Sequence, residues 1–239
     1  MSALIEVKSL RYRFPDGTQA LDGVDFRLDS GENVALFGAN GSGKTTFVLH
    51  LIGLLRGEGE VAVRGLPVVK ENLTEVRRRV GLVFQDADEQ LFMPTVIEDV
   101  CFGPLNLGVP EHQALEGARA ALARVGMTGA TGKAPYHLSA GEKKRVALAG
   151  VLAMDPEILV LDEPTTFLDP PGQRELLGLL RELPQPKLIV THDTVFASAL
   201  CGRAVFFEKG KVAAEGSVEE IIRTRHWNPR RPDEPPEQI

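Results

Sequence analysis

Cysteine and tryptophan are scarce in this chain, two and one among 239 residues. Cys101 and Cys201 lie far apart in no metal-binding or redox spacing, which excludes a disulfide-stapled or zinc-built fold. Both read as buried thiols in a reducing compartment. Long apolar runs are also missing, since none approaches the roughly 20 residues that span a bilayer. The opening MSALIEVKSLRYRF lacks the apolar centre of a signal peptide. The expectation is a cytosolic protein that meets a membrane only through a partner. Positive charge is in deficit too: the formal net charge of −6 argues against a general nucleic-acid coat. There is no internal repeat. What is present is ordinary, with 43% hydrophobic and 25% charged residues, enough for one large α/β domain or one domain with an inserted lobe.

Residues 1–35 alternate apolar and polar positions around a Pro15-Asp16-Gly17 turn and read as β-strands. Four short apolar runs follow: NVALFG (33–38), RVGLVFQD (79–86), EILVLDEP (157–164) and KLIVTHD (187–193). Continuous apolar runs suit parallel strands covered by helices on both faces. Helical periodicity is expected over 44–55, 174–183 and 194–200, and most of 95–155 is helical in pattern, broken at Gly103-Pro104, Gly108 and Pro110. The expected division is a core of 1–85 with 156–227, a helical segment at 86–155 and a disordered tail at 228–239, where four prolines occur. Each of the four runs ends on residues with chemical use: the Gly38 loop, Gln85, Asp162-Glu163 and His192. Open α/β sheets place ligand sites at the carboxyl ends of their strands, so one site is being assembled from four distant segments.

GANGSGKTT (38–46) matches the G-x-x-x-x-G-K-[ST] phosphate loop. Gly38, Gly41 and Gly43 free the backbone to cradle phosphate oxygens. Asn40, Gly41, Ser42, Gly43, Lys44, Thr45 and Thr46 are the candidate ATP contacts. Lys44 reaches toward the β- and γ-phosphates, and the Thr45 hydroxyl can ligate Mg²⁺. Asp162, at the end of an apolar strand, is placed to hold Mg²⁺ through water; the Gln85 amide, at another strand end, could reach Mg²⁺ or the attacking water, and Glu163 could polarise that water. The combination indicates a nucleoside triphosphatase with a P-loop NTPase parallel-sheet core, an N-terminal antiparallel β-subdomain and an inserted helical subdomain.

HLSAGEKKRVALAGVLAMDPE (137–157) opens with Ser139 and Glu142 in a capping box. Two features go beyond a helix start. Gly141 sits in the first turn, where glycine costs up to about 1 kcal/mol relative to alanine. Lys143, Lys144 and Arg145 crowd the positive end of the helix dipole, which disfavours cations by about 0.3–1 kcal/mol each. Both suit a helix end that meets an anion, here one held by a neighbouring molecule.

LSAGE followed by ILVLDEP, with GANGSGKTT upstream and VTHD downstream, resembles the ATP-binding-cassette ATPases over residues 4 to about 217. The resemblance implies a head-to-tail dimer in which Ser139, Gly141 and Glu142 would contact the nucleotide on the partner's phosphate loop. His192 would sense the γ-phosphate, and Asp169 would cross the dimer interface. Phe14 aligns with the adenine-stacking aromatic, with Tyr12 as the alternative. Departures exist: LSAGE stands where LSGGQ is usual, and Thr166-Phe167 replaces two small residues. They bear on turnover and the dimer interface rather than on ATP binding. His112, His137 and His226 read as surface or loop residues.

VFQDADEQLF (83–92), with VIEDVCFGPLNLGVP (96–110), is similar to the ATPase subunits of energy-coupling-factor importers, nearest to those of the cobalt and nickel systems. Ending soon after AAEGS (213–217) leans the same way. By this resemblance Gln85 couples the catalytic core to the helical segment. Asp86, Asp88, Glu89, Gln90, Leu91 and Phe92 form a docking site for a transmembrane coupling protein, the acids as an exposed patch and Leu91 and Phe92 as anchors. The implied setting is the cytoplasmic face of the cell membrane, with a second ATPase subunit, a coupling protein and a substrate-binding membrane subunit as partners and no nucleic acid. Other readings are a soluble cassette ATPase, such as an iron–sulfur assembly component, and a small-molecule kinase. The kinase would leave LSAGE and His192 without purpose.

Overall fold

The computed structural model describes residues 3–227; the tail at 228–239 lies outside the described residues. In chain order the strands are β1 (Ala3–Arg13), β2 (Gln19–Asp29), β3 (Asn33–Phe37), β4 (Glu58–Val63), β5 (Leu66–Pro67), β6 (Val80–Val83), β7 (Ile158–Asp162), β8 (Lys187–Val190), β9 (Arg203–Glu208) and β10 (Lys211–Ser217). The helices are α1 (Lys44–Leu51), α2 (Leu73–Arg79), α3 (Val96–Asn106), α4 (Glu111–Arg124), α5 (Ala140–Leu152), α6 (Pro170–Glu182), α7 (Thr194–Leu200) and α8 (Val218–Thr224).

The four apolar runs become β3, β6, β7 and β8 of one sheet with strand order β10-β9-β3-β8-β7-β6. All pairings in it are parallel except that of β10 with β9. Their side chains alternate between two cores. Ala35, Phe37, Leu159, Leu161 and Ile189 face the helices of the later chain. Val34, Leu36, Ile158, Val160, Leu188 and Val190 face α1, α2 and a second sheet, β2-β1-β4-β5. Burial on both faces is why these strands read as unbroken apolar runs. The second sheet is antiparallel throughout, and its Pro15-Asp16-Gly17 turn closes where Gly17 N–H donates to Phe14 O at 2.9 Å.

Three boundaries differ from the sequence pattern. α1 ends at Leu51, not 55, because Gly53 turns left-handed (φ 64°) and the Arg77 side chain donates to Ile52 O at 3.1 Å. α6 begins earlier, at Pro170, since Asp169 caps it and prolines suit the first positions. β6 stops at Val83, so Phe84 and Gln85 already leave the sheet. The pattern also missed the β9–β10 hairpin, whose turn residues Lys209 and Gly210 both have positive φ. α3, α4 and α5 lie between β6 and β7. α5 is drawn against the sheet at Gly81, where a Cβ would stand 2.2 Å from Val151 Cγ1.

Candidate active site

The phosphate loop joins β3 to α1, and its glycines are required by the chain itself. A Cβ on Gly38 would meet Phe207 O at 2.3 Å, and one on Gly43 would meet Ala20 O at 2.5 Å. Gly41 has open space around it but a φ of 76°, so there the backbone conformation sets the residue. The loop is tied down where Gly210 N–H donates to Ser42 O at 3.0 Å. Lys44 is buried at the loop's centre, its Nζ donating to Gly38 O (2.6 Å) and Ala39 O (3.0 Å). Burial lowers its pKa, while the nearby Glu163 and Asp162 act in the opposite direction.

Thr45 and Asp162, distant in sequence, meet where the Thr45 hydroxyl donates to Asp162 Oδ2 at 2.9 Å. Asp162 Oδ1 is buried without a hydrogen-bond partner, and burial raises the carboxyl's pKa against the pull of that hydroxyl and Lys44. An orphaned carboxylate oxygen beside a hydroxyl suits Mg²⁺, which binds few protein oxygens and fills its shell with water and substrate phosphates. Gln85, exposed just past β6, lines the same cavity.

Glu163 follows Asp162 in a left-handed conformation (φ 43°), pinned by its N–H to Val190 O at 2.8 Å. One carboxylate oxygen accepts the His192 backbone N–H at 3.2 Å; the other lies 3.0 Å from His192 Nε2. The directed bond of Nε2 is with Asn40 Oδ1, 3.1 Å away. Burial pushes Glu163 up to about 7 and, with Lys44, depresses His192. The carboxylate is thus poised near neutrality, as a general base requires.

These groups line one cavity of about 510 Å³, together with Phe14, Asn40, Gly41, Gly43, Thr46 and Thr166. Phe14 stands at its mouth, edge-on to Tyr12 at 5.1 Å; Tyr12 packs on His50 instead and does not line the cavity. Ser42 is buried beneath the loop and contributes no lining side chain. Thr18, Gln19 and Ala20 of β2 and its approach also line it. Sequence reasoning passed over them because nothing local marks a strand start as facing this cavity.

Ser139, Gly141 and Asp169 line a different cavity, of about 320 Å³. The capping box is complete: Ser139 Oγ accepts Glu142 N–H (3.3 Å) and Glu142 Oε2 accepts Ser139 N–H (2.8 Å). That contact keeps Glu142 below the usual carboxylate range. A Cβ on Gly141 would meet only Leu168 Cδ2, at 3.7 Å, so the fold of this chain does not require glycine there. The three cations that follow are all engaged. Lys143 pairs with Asp88 at 2.6 Å and Arg145 with Glu175 at 2.8 Å. Lys144, buried, donates to Phe84 O (3.2 Å) and Gln85 O (2.6 Å), and burial lowers it to about 8. Asp169 caps α6 through the Gly172 N–H at 2.9 Å.

The segment 86–92 is less acidic in effect than its composition suggests. Asp86 caps a short 3₁₀ turn through Asp88 N–H, Asp88 holds Lys143, and Glu89 remains exposed. Gln90 accepts Phe84 N–H at 3.3 Å and donates to Ala147 O at 3.4 Å. Leu91 packs against the core, but Phe92 does not anchor as expected. It is 60% exposed, with its ring edge-on to Phe102 at 4.8 Å. Beside them lies a groove of about 540 Å³ lined largely by apolar side chains, among them Phe84, Leu91, Phe92, Phe102 and Met154.

Comparison with known proteins agrees with this geometry. The family model described as "ABC transporter" matches residues 21–166. A Geobacter sulfurreducens protein named as an ABC transporter ATP-binding protein is 51% identical, over 92% of this chain and 88% of its own. The energy-coupling factor transporter ATP-binding protein EcfA of Methanocaldococcus jannaschii is 46% identical, over 92% of this chain and 81% of its own. Among solved structures, cbiO1 of Clostridium perfringens, part of the ABC transporter complex cbiONQ, superposes with a TM-score of 0.82 at 36% identity, covering 94% of this chain and 92% of that one. With a complete phosphate loop, the Thr45–Asp162 pair and Glu163 gathered in one cavity, the chain belongs to the ABC transporter family as an ATP-binding, ATP-hydrolysing subunit.

Proposed function

We propose that this ATPase drives a membrane importer of the energy-coupling-factor type, with cobalt or nickel ions as cargo, through closure and reopening of a dimer on ATP. One observation carries the dimer. Ser139 and Gly141 line a cavity separate from that of Lys44 and Glu163, and Gly141 answers no steric demand of its own chain. A second subunit brings its phosphate loop to that helix end, where Asp169 also lies. Similarity to EcfA and to cbiO1 supports the importer class.

In this reading Lys44 exchanges its loop carbonyls for the phosphate oxygens of ATP, and Phe14 covers the base. Thr45, Asp162 and Gln85 hold Mg²⁺, which when bound neutralises phosphate charge. Glu163 takes a proton from water as the water oxygen bonds to the γ-phosphorus and the bond to the ADP oxygen breaks. His192, held by Asn40 and beside Glu163, orients the same end of the substrate. Segment 86–155 acts as the moving part. The apolar groove next to Gln85 receives an amphipathic helix of a transmembrane coupling protein, with Glu89 at its rim and Phe92 as the exposed contact. The described residues contain no helix long and apolar enough to cross a membrane; the proposed setting is peripheral, on the cytoplasmic face, beside a substrate-binding membrane subunit.

The test is uptake of cobalt, nickel and a vitamin panel in native cells carrying wild-type or Lys44→Ala protein. Selective loss of cobalt or nickel uptake supports the proposal. Loss of several vitamins would replace it with a shared energising module, and unchanged uptake would favour a soluble cassette ATPase.

A further inference from the structure

Trp227, the single tryptophan of the chain, sits just past α8 and is not accounted for by the nucleotide site. His226 adopts a left-handed conformation (φ 50°), and Trp227 N–H donates to Ile222 O at 2.9 Å, which turns the chain back on the helix. The indole lands against two rings. Phe206 of β9 is edge-on to it at 5.2 Å. The His192 imidazole lies 5.7 Å away with the planes 33° apart, closer to stacked than to edge-on. Arg225 secures this corner: its guanidinium lies over the Phe206 ring at 5.5 Å and it also donates to Ala213 O.

The neighbours of His192 therefore divide in two. Asn40 Oδ1 and Glu163 Oε1 lie at Nε2, and both belong to the reacting end of the site. Trp227 supplies a ring contact from outside it. Polar contacts at one atom leave an imidazole free to swing about that atom, and a tilted ring packed beside it restricts that swing. Phe206 in turn pairs with Phe37, the last residue of β3 before the phosphate loop. The indole thus joins β9, the neighbour of the strand that feeds the phosphate loop, to the loop that carries His192.

We propose that Trp227 is a positioning residue for His192, holding its imidazole toward Asn40 and Glu163 so that the turn after α8 is linked to the rate of ATP hydrolysis. The inference rests on the proposed role of His192.

The test is a double-mutant cycle on the full chain with steady-state ATPase kinetics. Trp227→Leu keeps apolar cover over Phe206 but offers the imidazole no ring; Trp227→Phe keeps a ring. Aromatic pairing of this kind corresponds to a roughly 3- to 10-fold effect. Trp227→Leu should lower kcat by about that factor with KM within about twofold, and Trp227→Phe should recover most of it. In a His192→Ala background, Trp227→Leu should have no further effect. In the wild type, Mg-ATP should shift tryptophan emission, and in His192→Ala the shift should vanish. An unchanged kcat in Trp227→Leu, or an equal loss with and without His192, would overturn the inference and leave Trp227 a cover for Phe206. If His192→Ala alone left kcat intact, the role given to His192 would fail first and this inference with it.

Discussion

Replacing Lys144 by methionine sets two large effects against each other. The ammonium is buried and donates to Phe84 O and Gln85 O. Hydrogen bonds from a charged donor contribute about 1.5–3 kcal/mol each, so the substitution removes about 3–6 kcal/mol of contact. Burial lowers the lysine from 10.5 to about 8, a penalty on the charged form of about 3 kcal/mol that methionine does not carry. The net destabilisation is about 0–3 kcal/mol, or at most roughly 9 °C in Tm for a chain of this size. Activity should suffer more. With both carbonyls released, Gln85 loses its fixed position in the nucleotide cavity, and misplacement of about 1 Å in an active site costs up to 100-fold. Scanning calorimetry and phosphate-release assays on Lys144→Met should therefore show a small thermal shift with ATPase reduced at least tenfold. Lys144→Gln, which keeps a donor, should fall between. The folded chain releases this proton more readily than the unfolded chain, so wild type should gain stability relative to Lys144→Met as pH rises from about 8 to 10.5. A Tm loss above 10 °C with ATPase retained would refute the reasoning and make Lys144 a structural prop alone.

Glu163, pushed up to about 7 by burial, must be ionised to accept a proton. Its ionised fraction falls about tenfold per pH unit below that value, so kcat/KM for ATP should rise through pH 7 and level off above it; Glu163→Gln should abolish turnover while retaining ATP binding, as read by a fluorescent nucleotide. Gly43→Ala combines φ 105° with a Cβ 2.5 Å from Ala20 O; it should cost about 2 kcal/mol or more in denaturant unfolding and abolish nucleotide binding.

The strand ends that line the cavity were legible because each combines an apolar run with a chemically distinctive terminus. Asp162 closes β7, and His192 stands just past β8. The phosphate loop was legible for the same reason, its glycines having no alternative. Contacts between distant segments were not. Nothing local says that Lys144 reaches back to Phe84 and Gln85, because its neighbours in sequence suggested a helix end exposed to an anion. Trp227 was equally silent, since its partners His192 and Phe206 come from distant segments, a loop past β8 and the strand β9. In segment 86–92 the packing of Leu91 against the core was legible, but the acids were read too simply, since Asp88 is paired with Lys143 and Asp86 caps a turn. Charge composition shows what a loop contains and not which cation lies opposite.

One helix makes several of these connections. α5 begins at the capped Ser139, holds the Gln85 carbonyl through Lys144, takes the Gln90 amide at Ala147 O and seats Val151 where Gly81 leaves room for it. Thirteen residues of α-helix form a stiff rod about 20 Å long. In the proposed dimer its tip belongs to one ATP and its flank to the other. A push on the groove side would then reach both nucleotides as a single rotation of that rod, the way a rocker arm serves two valves, and neither site could fire without reporting to its twin.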